Sequence, residues 1–150
     1  MIRALLLSVG GQHTHGAVEL IEQWRETAGS SLWIDIQGEV THEIRQLLQS
    51  IDCNDLAITD CSRIRHPPKI ESFATNCFLL FRGITRLDEE LNLVPQQLAI
   101  WVGQNYLITV HIGPSVSLDH MIQAAPGEML LQSPNILALH LLHYAAGRYL

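Results

Sequence analysis

The tripeptide Gly103-Gln104-Asn105 constrains this chain most, because it leaves only a tight turn between two apolar, β-rich runs, Leu93 to Val102 and Tyr106 to Ile112. Two strands joined so closely can only pair antiparallel. A third strand-like run, Cys77 to Thr85, lies just upstream, and the acidic, polar stretch Leu87 to Asn92 reads as the hairpin tip between them. Pro67-Pro68 can neither continue a helix nor sit inside a ladder, so it sets off a short strand over Lys69 to Phe73. The second half therefore predicts an antiparallel meander.

The first half alternates instead. Met1 to Leu7 reads as a strand, broken at Ser8 and Gly10-Gly11 and too short for a secretory signal. Val18, Ile21 and Trp24 fall at helical spacing beside Glu19, Glu22 and Glu26, which predicts a helix over Gly16 to Ala28, stopped by Gly29. Leu32, Ile34 and Ile36 alternate with Trp33 and Asp35 in a strand ending at Gly38. Helical period returns over Val40 to Ile51, with Thr41 as cap and Ile44, Leu47, Leu48 and Ile51 as the buried stripe, and a short helix follows over Asp55 to Cys61. Two helices end the chain, Leu118 to Ala124 and Pro134 to Leu150, the latter capped by Ser133. This order gives an α/β (α+β) class, a single mixed β-sheet flanked by helices in one domain over residues 1–150, with parallel pairing expected in the first half.

A chain of 150 residues, 47% hydrophobic, can bury a core without staples. Its net charge of -6 lacks the clustered Lys and Arg that neutralise phosphates, so no nucleic acid partner is expected. Trp33, Trp101 and Phe81 fall inside strand patterns, where aromatics are more often core or interface than base-stacking platforms. Cys53, Cys61 and Cys77 contain no CxxC pair, which fits reduced thiols and neither a disulfide framework nor a thiolate zinc site. A spanning helix needs about 20 mostly apolar residues, and the longest candidate, Ile136 to Tyr149, is interrupted by His140, His143 and Arg148.

Eight histidines invite a metal reading. His13-Thr14-His15 could place two imidazoles on one side of an extended segment, although a polar loop is the plainer reading. His140 and His143 fall three apart on a helix face. No His-Glu-x-x-His spacing occurs, Ser8-Val9-Gly10-Gly11 and Gly113-Pro114-Ser115 lack the Gly-x-Ser-x-Gly elbow, and Gly10-Gly11 is too short for a phosphate loop. Arg63, Arg65 and Lys69 form a basic cluster that Asp60 and Glu71 flank, which points to ion pairing rather than to an anion site. Asp60 itself ends the short helix before a bend, where an aspartate either binds local backbone amides or offers a carboxylate to a hard cation.

The run Asn54-Asp55-Leu56-Ala57-Ile58-Thr59-Asp60, with Ser62-Arg63, Pro67-Pro68-Lys69-Ile70-Glu71 and Cys77-Phe78-Leu79-Leu80-Phe81 after it, resembles the cytoplasmic N-terminal domain of the CorA family of divalent-cation channels, including its zinc-transporting relative ZntB. Leu32-Trp33-Ile34-Asp35-Ile36 and Tyr106-Leu107-Ile108-Thr109-Val110-His111 extend the likeness over Leu32 to His111. The resemblance implies a non-enzymatic regulatory domain at the cytoplasmic face of the inner membrane, which senses cytoplasmic cation and gates a channel. It implies a homopentamer, with the chain's own stalk and transmembrane segments and the neighbouring subunits as partners. Asp60 would be one half of a regulatory Mg2+ site, with Zn2+ or Co2+ as alternative ions, and the second carboxylate would come from the neighbouring subunit's stalk helix.

Two departures bear on that site. Asn54-Asp55 stands where the family usually has His-Pro, and Thr59 stands where an acid often precedes the aspartate, so a weaker, single-carboxylate site is expected. Pro68-Lys69-Ile70-Glu71 keeps the family's Pro-Lys-x-Glu, with Lys69 and Glu71 on one strand face. The membrane part is expected beyond Leu150, leaving this chain soluble alone, as a cut domain or a protein that has lost its channel. The last helix, apolar around much of its circumference, is expected to contact something outside these residues. Two alternatives stay open: a histidine-based metal-dependent enzyme, and a stand-alone ligand-binding or interaction module of the same fold.

Overall fold

The computed structural model describes residues 1–63, 66–87, 89–90, 93–123 and 133–147. The turn after Gly103 joins antiparallel strands as its length requires, β6 (Leu93–Gly103) pairing with β7 (Tyr106–His111) and placing Trp101 opposite Ile108. Glycine is needed at 103 because a Cβ there would run into the Tyr106 ring. Strand β5 (Asn76–Leu87) pairs antiparallel with β6, and β4 (Lys69–Ser72) with β5. The expected hairpin tip is only partly described, since residues 88, 91 and 92 lie outside the described set, as does Arg65 of the basic cluster.

The expected parallel pairing in the first half is not found. Strand β1 (Ile2–Leu7) is antiparallel both to β2 (His13–Gly16) and to β3 (Ser31–Gln37), and the one parallel pair among the described strands is β3 with β7. The cause is β2, where a polar loop was expected. Ser8 and Gln12 close a hairpin, Ser8 N–H donating to the Gln12 carbonyl (3.0 Å) and Gln12 N–H to Ser8 Oγ (3.2 Å), with Gly11 at φ 82°. Helix α1 (Glu19–Glu26) does return the chain parallel to the strand before it, but that strand is β2. The helix starts later than Gly16 because residues 13–16 are spent on pairing.

The resulting sheet runs β2-β1-β3-β7-β6-β5-β4. Helix α1, α2 (His42–Ser50) and α3 (Asp55–Ser62) cover one face, and α4 (Val116–Gln123) and α5 (Pro134–Gly147) the other. Both caps legible in the sequence are present, Thr41 Oγ1 accepting from Ile44 N–H (3.3 Å) and Ser133 Oγ from Ile136 N–H (3.2 Å). Because the sheet is covered twice, β3 is buried on both faces: Leu32, Ile34 and Ile36 pack under α1 and α2, and Trp33 packs under α4. Across β5 and β6, Phe78 and Trp101 form a cross-strand pair with ring centroids 4.6 Å apart, both fully buried. Each such ring contributes roughly 1.5–3 kcal/mol by leaving water. On α5, Leu137, Ala138 and Leu141 are buried, while Leu139 is 61% exposed beside exposed His140 and His143.

Candidate functional site

Asp60 reaches its position through a chain of local interactions. Asn54 caps α3, its Oδ1 accepting from Leu56 N–H (2.9 Å) and Ala57 N–H (3.3 Å). The residue that departs from the family pattern is thus the one that starts the helix. Thr59, the other departure, accepts from Arg45 Nη2 (3.2 Å) and donates to the Asp55 carbonyl (3.1 Å), so it ties α3 to α2. The far end of α3 is clamped by Gln97 of β6, whose Nε2 donates to the carbonyls of Cys61 (3.2 Å) and Arg63 (2.8 Å) while its Oε1 accepts from His66 N–H (3.1 Å).

At that clamped end the Asp60 carboxylate meets β4. Lys69 and Glu71 share one strand face, the face of Phe78 and Leu80 that α3 covers, and Lys69 Nζ bridges Asp60 Oδ2 and Glu71 Oε1. His66 Nε2 lies 3.4 Å from Asp60 Oδ1, its Nδ1 donating to the Pro67 carbonyl (2.9 Å), and Lys69 Nζ sits 5.8 Å from the Phe78 ring centroid. The hydrogen bond from Lys69 holds the Asp60 carboxyl below the usual carboxylate range, aided by the charges of His66 and Arg63, and the same contacts raise the Lys69 ammonium. Asp60 is therefore ionised at neutral pH. The Asp60 side chain is 15% exposed and Glu71 41%. No group of three or more His, Cys, Asp or Glu side chains converges to hold a metal among the described residues. One ionised carboxylate at an exposed edge fits an ion that takes one or two carboxylates and keeps its waters, as Mg2+ does.

A second polar cluster, not singled out by the sequence reading, lies on the opposite sheet face. Arg3, Asp35 and Thr109 stand side by side in register across β1, β3 and β7. Asp35 accepts from Arg3 Nε (2.7 Å), Thr109 Oγ1 (2.7 Å) and His111 Nε2 (3.0 Å), while Trp33 Nε1 donates to Thr109 Oγ1 (3.1 Å) and His111 Nδ1 to the Gly113 carbonyl (2.7 Å). Arg3 Nη2 reaches Asp119 of α4 at 2.9 Å. Burial alone would raise the Asp35 pKa, but the hydrogen bond and charge of His111 and the bonds from Thr109 and Arg3 overcome it and hold the carboxyl below its usual value. The signal was an acid inside the apolar run Leu32-Trp33-Ile34-Asp35-Ile36 and a histidine ending Tyr106 to His111. A buried charge is tolerated only when paired and hydrogen-bonded.

The remaining candidates separate. His13 and His15 lie exposed on β2, His140 and His143 exposed on α5. Ser115 is a helix cap, its Oγ accepting from Leu118 N–H (3.3 Å). Burial pushes the Cys53 thiol up strongly and the Cys61 thiol up to about 12, so neither is a ready thiolate. None of the cysteines is in a disulfide. No helix among the described residues is long and apolar enough to cross a membrane.

Comparison with known proteins accounts for the sheet and the helices that flank it. A Schizosaccharomyces pombe protein whose name proposes metal ion transport for it is 26% identical over 109 residues, 69% of this chain and 18% of that protein. Three solved structures share the fold: the full-length CmaX protein (TM-score 0.73, 15% identity, 97% of this chain and 45% of that one), the soluble domain of CorA from Methanocaldococcus jannaschii (0.71, 14%, 97% and 58%) and the cytoplasmic domain of ZntB from Vibrio parahaemolyticus RIMD 2210633 (0.61, 17%, 78% and 48%). The chain thus spans about half the length of these structures and under a fifth of the yeast relative. The profile of one family, described as CorA-like Mg2+ transporter protein, matches residues 28–150. That family is one of transporters and not of enzymes, which sets the histidine-enzyme alternative aside. With a mixed seven-stranded sheet flanked by helices and a family profile running from residue 28 to residue 150, the chain belongs to the CorA-like Mg2+ transporter family.

Proposed function

We propose that the chain is the cytoplasmic regulatory domain of a CorA-like divalent-cation transporter, at the inner face of the cell membrane, and that Asp60 gives one carboxylate to a Mg2+ site completed by a neighbouring subunit of a homopentamer. The observation that carries this reading is the bridge from Asp60 through Lys69 to Glu71. Lys69 acts as a tethered counter-cation. When a divalent ion takes Asp60, the lysine keeps Glu71 as partner and no ammonium is left unpaired, so the exchange costs little. A second carboxylate from a neighbouring subunit would raise the affinity into a useful range, since one carboxylate with water ligands holds Mg2+ weakly. Zn2+ or Co2+ can occupy the same oxygen site, and the geometry of one carboxylate does not separate them from Mg2+.

Such an ion would stabilise the arrangement of subunits that brings its two carboxylates together, and its loss at low cytoplasmic cation would release them. Melting temperature measured with and without millimolar Mg2+ tests this on two chains: these 150 residues, and a longer chain that includes the stalk. At ten times its dissociation constant, Mg2+ stabilises by about 1.4 kcal/mol. The longer chain is expected to show that shift and to lose it on Asp60→Asn, while the short chain gains little. An equal and large shift in the short chain would overturn the two-subunit account.

A further inference from the structure

We propose that His13 and His15 form a second cation site, separate from Asp60, that takes a borderline transition ion such as Zn2+ and rejects Mg2+. The two residues lie on β2 with one residue between them, so their side chains leave the same face and their Cα atoms stand about 6.7 Å apart, two strand steps. Thr14 points the other way. The register fixes the pair further: His13 is opposite Leu7 and His15 opposite Leu5, so the residues paired directly with them are apolar and compete for neither ring. Among the described residues, neither imidazole makes a hydrogen bond or ion pair, and both are exposed. Two free imidazoles on one strand, held by the Ser8–Gln12 hairpin, form a chelate that needs no rearrangement of the backbone.

The surroundings leave room for the ion's water. Strand β2 is the edge of the sheet, and among the described residues no further strand pairs with its outer side. On the inner side, His15 lines a cavity of about 110 Å³ together with Arg3, Trp33, Asp35 and Ile122. That space can hold several waters, each taking about 30 Å³. The cationic neighbour, Arg3, is already paired with Asp35 and Asp119, which limits its repulsion of an incoming cation. Imidazole suits Zn2+, Cu2+ and Ni2+, whereas Mg2+ prefers oxygen. With two protein ligands where zinc catalysis uses three, the site binds but does not catalyse.

His140 and His143 supply an internal control. Three residues on a helix turn through about 300°, so those rings diverge by about 60° where the strand pair is aligned. Calorimetric titration of untagged protein with Zn2+ should find one ion per chain. His13→Gln and His15→Gln should each weaken it about tenfold or more, the double change His140→Gln/His143→Gln should leave it intact, and excess Mg2+ should not displace it. With Cu2+ as probe, electron spin resonance should show two coordinated imidazole nitrogens in the native chain and one in either single variant. Absence of saturable Zn2+ binding would overturn the proposal. So would loss in one of the single variants alone, loss in the helix variant, or binding that survives both strand changes and disappears on Cys77→Ser. The outcome is independent of Asp60, because every variant keeps that carboxylate.

Discussion

Two aspartates, Asp35 and Asp60, are both ion-paired and both held below the usual carboxylate range, yet the fold treats them in opposite ways. Asp35 is 2% exposed and takes its donors from strands on either side of its own, Arg3 and Thr109 directly opposite it and His111 two residues further along β7. Asp60 is 15% exposed at the edge of the sheet, and its main donor is a flexible lysine with a second carboxylate to turn to. A charge whose donors cannot leave is a lock. A charge whose donor can be exchanged is a place where an ion can enter. Ion pairing and a depressed pKa alone would rank the two alike; burial and the freedom of the partner separate them.

The largest expected effect comes from breaking the lock. Removing one member of a buried pair leaves the others uncompensated and costs about 3–5 kcal/mol. Asp35→Ala strands the fully buried His111 ring and the Thr109 hydroxyl, so urea unfolding should show a loss of that size. A loss under about 1 kcal/mol, within the range of an exposed pair, would erase the distinction drawn between the two sites. The sign with pH follows from the depressed carboxyl. Its contribution is fully present above the unfolded carboxylate value, about 3.9, and is lost as pH falls through the lower folded value. Acid unfolding of the native chain should therefore be steeper below pH of about 3.9 than that of Asp35→Ala.

Thr109→Val comes next. It keeps the shape of the side chain but removes the hydroxyl that accepts from Trp33 Nε1 and donates to Asp35, which leaves a buried indole N–H without a partner. The expected cost is about 1–3 kcal/mol, read from the same unfolding midpoints. An effect near zero would mean that the row Arg3, Asp35, Thr109 is held by the His111 contact alone.

The same contrast explains which parts of the molecule the sequence revealed. The meander was legible because Gly103-Gln104-Asn105 allows one connection, and the caps Thr41 and Ser133 because capping is local. Strand β2 was not, since His13-Thr14-His15-Gly16 carries no apolar alternation: an edge strand paired on one side needs none. Losing it reversed the expected pairing of the whole first half. At Asp60 the family likeness and the short helix pointed to the residue, and Lys69 and Glu71 were placed on one face by strand period. That Lys69 would bridge to Asp60 depends on how α3 packs over β4, which spacing along the chain does not encode. Asp35 was visible as an acid in an apolar run, but its donors come from positions 3, 109 and 111, which only the sheet order brings together.

Lys69→Met sharpens the exchangeable side. In the isolated chain it removes a partly exposed pair, worth roughly 0–1 kcal/mol. In a chain long enough to complete the proposed site it also removes the ion's competitor, so the Mg2+ concentration at half-saturation should fall, by up to about fivefold if the pair is worth the full 1 kcal/mol. Weaker Mg2+ binding in this variant would mean that Lys69 orients the carboxylate rather than competing for it, and the picture of exchange would fail.

The smallest effect should come from Asp60→Ala in the 150-residue chain. The carboxylate is partly exposed, Lys69 retains Glu71, and His66 retains the Pro67 carbonyl, so no buried group loses its last partner. Solvent screening limits the loss to roughly 0–1 kcal/mol. What is lost has two pH limits of opposite sign. The depressed Asp60 value gives stability above the unfolded carboxylate range that disappears on acidification, and the raised Lys69 value gives stability below its unfolded range that disappears as pH climbs through the folded value. Native and variant curves should therefore differ only on the plateau between those limits and converge at both ends. If urea unfolding at neutral pH instead shows a deficit of several kcal/mol, Asp60 is as much a lock as Asp35, and its carboxylate is not free to take an ion.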